Sequence, residues 1–270
     1  MTTVLSLAKA VLDAGVPTEK VSAANLLVHS WEKGLDIGTT QPYLNDTPAR
    51  PAKPALVHPH DAKRRRLGTE AGRAALLHAV AHIEFNAINL AADMVARFTL
   101  DRSINDVERH DFCSDWISVC ADEARHFNLV EARMAEMGVS YGDHPAHNGL
   151  WEAALTTKDN FAARLAIAPL VLEARGLDVT PAMIEKLETQ KDSKSADVLR
   201  IIYDEEVRHV AIGRKWFKHV AQDAAETEVK QFHALVKRYF KGNLKPPFNE
   251  PARTKADLPP EFYMPLATKS

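Results

Sequence analysis

The 270-residue sequence predicts an all-α protein. Apolar residues recur at three- and four-residue spacing over several long stretches, which is the period of a helix with one buried face. No alternation of period two runs far enough to argue for a sheet. Prolines gather in two segments, and these separate and flank the helical ones.

The elements follow in order. Residues 4–34 place Val4, Leu7, Val11 and then Ala24, Leu27, Val28 and Trp31 on helical faces, and Gly15-Val16-Pro17 divides the stretch into two helices. Pro42, Pro48, Pro51, Pro54 and Pro59 then deny regular structure to a connector over 36–67, which is expected to wrap the surface. Thr69 is a candidate N-cap with Glu70 in the first turn, opening a long helix to about residue 100. A second long helix spans 104–137 and stops at Gly138. A loop with Gly142, Pro145 and Gly149 precedes a third helix over 160–174, ended by Gly176. A short helix after Pro181 leads to a fourth long one over 195–221, and another covers 226–240. Beyond Gly242 the prolines at 246, 247, 251, 259, 260 and 265 predict an irregular or pinned tail. The organisation expected is N-terminal helices and a proline-rich connector over 1–67, a bundle over 68–223, and a C-terminal helix and tail over 224–270.

Apolar residues make up 46% of the chain, yet no apolar run approaches the roughly 20 residues of a membrane span. The first residues lack the basic-then-apolar layout of a secretory signal. A soluble cytoplasmic protein is the expectation, with no membrane partner. A net charge of −2 supplies no global field that would demand nucleic acid. The basic run Lys63-Arg64-Arg65-Arg66 reads as solvated surface, with RNA as the partner it would suit. Cys113 and Cys120 read as reduced core residues rather than a disulfide.

Glu-x-x-His occurs twice, as Glu123-Ala124-Arg125-His126 and Glu206-Val207-Arg208-His209. Average composition would supply about one such match by chance, so one alone means little. On a helix, residues three apart lie about 60° from each other and one turn along the axis, so both side chains can bind one ion. Each pair sits in a long amphipathic helix, and each such helix follows another that carries a glutamate in an apolar run. These are Glu84, in His82-Ile83-Glu84-Phe85-Asn86-Ala87-Ile88, and Glu173, in Pro169-Leu170-Val171-Leu172-Glu173-Ala174. An ionised carboxylate among apolar neighbours is costly unless paired or bound to a cation. Two helix pairs, each offering Glu and then Glu-x-x-His, match the recipe of di-iron carboxylate bundles. Glu84, Glu123, His126, Glu173, Glu206 and His209 are the expected ligands of two ions, with iron preferred, manganese as the alternative, and a closed zinc site disfavoured.

The chain resembles the ferritin-like superfamily, and more closely the family catalogued as domain of unknown function 455. The matching segments are Arg64-Arg65-Arg66-Leu67-Gly68-Thr69, Leu77-His78-Ala79-Val80-Ala81-His82-Ile83-Glu84, Asp122-Glu123-Ala124-Arg125-His126, Leu172-Glu173-Ala174-Arg175-Gly176-Leu177-Asp178 and Asp204-Glu205-Glu206-Val207-Arg208-His209, with Leu244-Lys245-Pro246-Pro247-Phe248-Asn249 in the tail. The resemblance implies a ferritin-like four-helix bundle with N-terminal helical and C-terminal extended additions, built around a di-metal carboxylate centre. It implies no substrate. Similarity to tRNA-modifying di-iron hydroxylases is at the level of the fold, which does not fix function.

Around the ligands, Asp122 and Glu205 each precede a motif glutamate and are candidate supports of the histidines, with surface carboxylates as the alternative. Arg125 and Arg208 occupy matching places and are candidate partners of those acids. Tyr203 and Cys120 both fall three residues before a ligand glutamate and should face inward. Tyr203 is either a redox or proton-relay group or a core tyrosine with a satisfied hydroxyl. Trp116 is expected in the core. His82 lies about 200° around its helix from Glu84, so His78 and His82 read as interhelical hydrogen-bonding groups rather than ligands. The leading functional expectation is an oxidase or monooxygenase that uses dioxygen on a small molecule or modified nucleoside. A ferroxidase or peroxide-consuming protein, and a non-catalytic metal-bound interaction module, are the alternatives. An apolar pocket near Trp116 and Phe127 would favour the oxygenase.

Overall fold

The computed structural model describes residues 1–58, 66–221 and 227–268, and among them every regular element is helical. The protein is all-α, as predicted. The chain forms two compact units, Met1–Trp151 and Glu152–Ser270. Lys63, Arg64 and Arg65 of the basic run lie outside the described residues. No described helix is long and apolar enough to cross a membrane.

In the first unit, α1 (Val4–Asp13) opens on a capping box in which the Thr3 hydroxyl accepts from the Ser6 amide and Ser6 Oγ accepts from the Thr3 amide. Pro17 begins α2 (Pro17–Glu32), where its missing N–H costs nothing. Thr69 caps α3 (Glu70–Phe98), its hydroxyl accepting from Gly72 N at 3.1 Å. The next helix, α4 (Glu108–Glu136), begins later than the periodicity predicts. Asn105 and Glu108 exchange hydrogen bonds of 3.1 Å between side chain and backbone, and this reciprocal cap fixes the start. The α3–α4 pair is the main packing of the unit, with α1 against α3 and α2 against α1 and α4. Every residue over 84–96 of α3 is buried, so that half is enclosed on all sides.

His78 and His82 bind the loop after α4. His78 Nε2 accepts from Gly142 N at 2.9 Å. His82 Nδ1 lies 2.8 Å from the Tyr141 hydroxyl and Nε2 lies 3.2 Å from the His147 carbonyl. Burial holds the His82 pKa down to about 4, so the ring is neutral. Nε2 then carries the proton to the carbonyl, and Nδ1 accepts from Tyr141.

The chain passes into the second unit within α5 (Gly149–Thr156), a helix where the sequence predicted only loop. Asn160 caps α6 (Phe161–Ile167) by accepting from Ala163 N at 2.8 Å. The predicted helix over 160–174 is not continuous. Residues Ala168–Glu173 form a π-helical turn, entered at Pro169. A proline inside a helix removes one donor and crowds the carbonyl four residues back, and the wider register absorbs both. Nor does Gly176 end the helix: α7 (Ala174–Thr189) runs through Gly176 and Pro181. Gly176 lacks the positive φ of a terminating glycine, so it is only a weak helix residue. Pro181 deprives the Leu177 carbonyl of its intrahelical donor, and Asn249 Nδ2 takes that place at 3.0 Å.

After a turn at Lys191, Asp192 accepts from Ser195 N at the head of α8 (Ser193–Ala221). A Cβ on Gly213 of α8 would lie 2.3 Å from Pro169 Cβ, so only glycine lets α8 close on the π turn. The α7–α8 contact is the largest of this unit, with α9 (Glu228–Tyr239) on α6 and α8. The tail is more ordered than expected. It forms α10 (Glu250–Lys255), α11 (Pro260–Tyr263) and a 3₁₀ turn (Met264–Leu266), with prolines in the first turn of each.

Lys20 of α2 is fully buried, donating to the Val11 carbonyl at 2.6 Å and Asn89 Oδ1 at 2.7 Å. Burial lowers its pKa from 10.5 to about 8. Between those values the unfolded chain holds the proton that the folded chain has lost, so stability rises with pH in that window. Relative to Lys20→Met, wild-type unfolding free energy should gain on the order of 3 kcal/mol from pH 8 to 10.5 in urea titrations. A constant difference would show that Lys20 is not desolvated as described.

Candidate metal centre

The first unit assembles one half of the predicted ligand set. Glu84 comes from the enclosed half of α3, and Glu123 and His126 from the facing stretch of α4. Their exposures are 3%, 0% and 0%. His126 Nδ1 lies 3.4 Å from Glu84 Oε2 and 3.4 Å from Glu123 Oε2. Each of the three offers a ligand atom, and these atoms lie within 4.8 Å of one another. The cluster can hold a metal ion.

The electrostatics of the cluster fit that use. Burial raises the Glu84 pKa well above the carboxylate range, and the Glu123 charge raises it further against the pull of His126. For His126, burial alone would lower the pKa, but the two carboxylates override it and hold the imidazolium up to about 11. The proton on His126 therefore stands in for a cation. Two carboxylates and an imidazole in one buried space form a donor set for a divalent metal.

The second unit contains the equivalent residues on its own elements. His209 of α8 is fully buried, and its Nδ1 lies 3.6 Å from Glu206 Oε2, whose side chain is 14% exposed. Both Glu-x-x-His pairs thus turn histidine Nδ1 toward the glutamate one turn before it. Glu173 is the last residue of the π turn and keeps one carboxylate oxygen shielded from solvent. π-Helical turns recur at functional sites, and this one sets where Glu173 emerges.

The surrounding residues divide between core and surface. Trp116 and Phe127 are 2% and 1% exposed and pack in the core, Trp116 against Phe112 and Phe127 against Phe85 and Tyr141. Cys120 is buried, its thiol pKa pushed up to about 12 by burial and then by Glu123. It and Cys113 are both free thiols. Arg125 pairs with Asp122 at 3.0 Å on the outer part of α4. Glu205 is half-buried and Arg208 exposed on α8. Tyr203 is half-buried, and its hydroxyl accepts from Asn249 Nδ2 at 2.9 Å.

Sequence reasoning missed the π turn before Glu173 and the role of Asn249. Pro169 inside an apolar helical run was the available signal for the first. The second had none, because Asn249 lies 72 residues from Leu177 and 46 from Tyr203.

Metal binding should release a proton, because a cation must displace the one held on His126. His126 holds its proton from pH 6 to 8, so apparent affinity should rise about tenfold per pH unit for the proton it gives up. Calorimetric titration with a divalent metal in two buffers of different ionisation heat measures this. Affinity independent of pH would contradict the protonation described.

The family model described as "Protein of unknown function (DUF455)" matches residues 14–264. A Haemophilus influenzae protein, itself described as uncharacterized, is 42% identical over 208 residues, covering 77% of this chain and 72% of that protein. No solved structure matches. With nearly its whole length matched by the family model, the chain belongs to the DUF455 family.

Proposed function

We propose that the chain is a ferritin-like di-metal carboxylate protein that uses dioxygen to oxidise a small molecule. The observation that carries this reading is the buried set Glu84, Glu123 and His126 of the first unit, each ligand atom within 4.8 Å of the others. The second unit carries Glu173 at the end of its π turn and the pair Glu206 and His209 on α8. That the two sets join in one centre of two ions is part of the proposal. Mixed oxygen and nitrogen ligands favour iron, with manganese next, over a closed zinc site.

Bound ferrous ions would supply the electrons for dioxygen reduction. The chain's own residues set the conditions. Glu84, Glu123, Glu173 and Glu206 would neutralise the cations, His126 would give up its proton to bind, and His209 would add a second imidazole. The packed rings of Phe85, Trp116 and Phe127 keep water from the α3–α4 face. Asp122 with Arg125, and Glu205 with Arg208, act as outer supports that orient the ligand helices by charge. Tyr203, held at its hydroxyl by Asn249, delivers or accepts a proton one turn from Glu206.

Metal analysis of protein loaded anaerobically with ferrous iron should give about two ions per chain. Glu84→Ala and His209→Ala should each lose most of both ions while still melting cooperatively. Full metal content in His209→Ala alongside loss in Glu84→Ala would sink the joint centre. Oxygen uptake by the loaded wild type, absent in both variants, is the expected activity readout.

A further inference from the structure

Within the second unit lies a cavity of about 120 Å³, walled by the π turn and start of α7 on one side and the segment after α9 on the other. Val171, Leu172, Phe240, Leu244 and Phe248 form its apolar part. Arg175, Lys245 and Arg253 also line it, against a single carboxylate, Asp178. That carboxylate is already engaged: Arg253 Nε and Nη2 hold its two oxygens at 2.8 and 2.7 Å. Arg253 is itself only 2% exposed. Its remaining nitrogen, Nη1, is buried without a hydrogen-bond acceptor among the described residues. Lys245 is exposed, with no ion-pair partner among the described residues.

Because Arg253 holds Asp178, Arg175 and Lys245 leave the cavity with an excess of positive charge. Carboxylate oxygens are the acceptors that suit arginine best. An inorganic anion would leave the apolar wall uncovered, and an amine would meet three cations. We propose that this cavity binds a small organic monocarboxylate with an apolar body. An apolar cavity of about 150 Å³ accepts benzene, so the body here is about one aromatic ring or a short aliphatic chain. The carboxylate lies at the mouth, where it accepts from Lys245 Nζ and the Arg175 guanidinium. Val171 and Leu172 belong to the turn that ends at Glu173, so the ligand seats against the segment that presents that glutamate. The binding itself requires no metal.

Calorimetry on the full chain, with benzoate and hexanoate as probes and benzylamine, hexylamine and phosphate as controls at constant ionic strength, tests the site. The carboxylates should bind saturably with one site per chain, and the controls should not. Lys245→Gln should weaken benzoate about two- to fivefold. Leu172→Trp, which fills the cavity from a half-buried position, should abolish binding. Absence of saturable carboxylate binding, equal binding of the amines or phosphate, or undiminished affinity in Leu172→Trp each overturns the proposal. Should Leu172→Trp fail to melt cooperatively, Phe240→Trp replaces it, with the same loss expected and the same retention overturning the site.

Discussion

Two carboxylates closed into the core of a helix pair are the constraint on which the rest of the first unit depends. Glu84 and Glu123 stand on α3 and α4 where those helices are most enclosed, and neither reaches water. Removing one such charge from water costs several kcal/mol, which hydrophobic packing around it does not return. Positive charge must therefore accompany them. In the protein alone that charge is the His126 imidazolium, while burial and the Glu123 charge push the Glu84 pKa up. A metal ion could take the same space and would release the His126 proton. The apolar surroundings, with Ile88, Val119 and Phe127 all nearly inaccessible, strengthen every interaction made there.

Much of this was legible in the sequence because it is local. The Gly15-Val16-Pro17 break, the Thr69 cap and the Glu-x-x-His spacing act within one or two turns of chain, where residue identity largely decides structure. Glu84 stood out because an acid amid Phe85, Ala87 and Ile88 contradicts its own neighbourhood. The α4 boundary was misplaced because apolar periodicity does not register a cap such as Asn105 with Glu108. The π turn was missed for a related reason: a change of helical register leaves composition untouched. Gly176 and Pro181 are ordinary stop signals, and their failure to stop α7 depends on what packs beside it.

What packs beside it is the tail, which no local rule could predict. Asn249 distributes its side chain three ways. Its two amide hydrogens go to the Leu177 carbonyl stranded by Pro181 and to the Tyr203 hydroxyl, and its oxygen caps α10 at Ala252. Arg253 adds a bidentate grip on Asp178 and reaches the Ala174 carbonyl at 3.3 Å. A proline in mid-helix is thus compatible with α7 because residues some 70 positions later in the chain supply the missing donor. The same device closes one side of the cavity beside the π turn. Lys20 plays a comparable part in the first unit, joining α1, α2 and α3 through hydrogen bonds that a sequence pattern does not reveal.

Crystals of the iron-loaded protein, measured at the iron absorption edge, address the central idea most directly. The account predicts two anomalous peaks about 3.5–4 Å apart, contacted by Glu84, Glu123 and His126 together with Glu173, Glu206 and His209. A single peak confined to Glu84, Glu123 and His126, or peaks only on the protein surface, would contradict it.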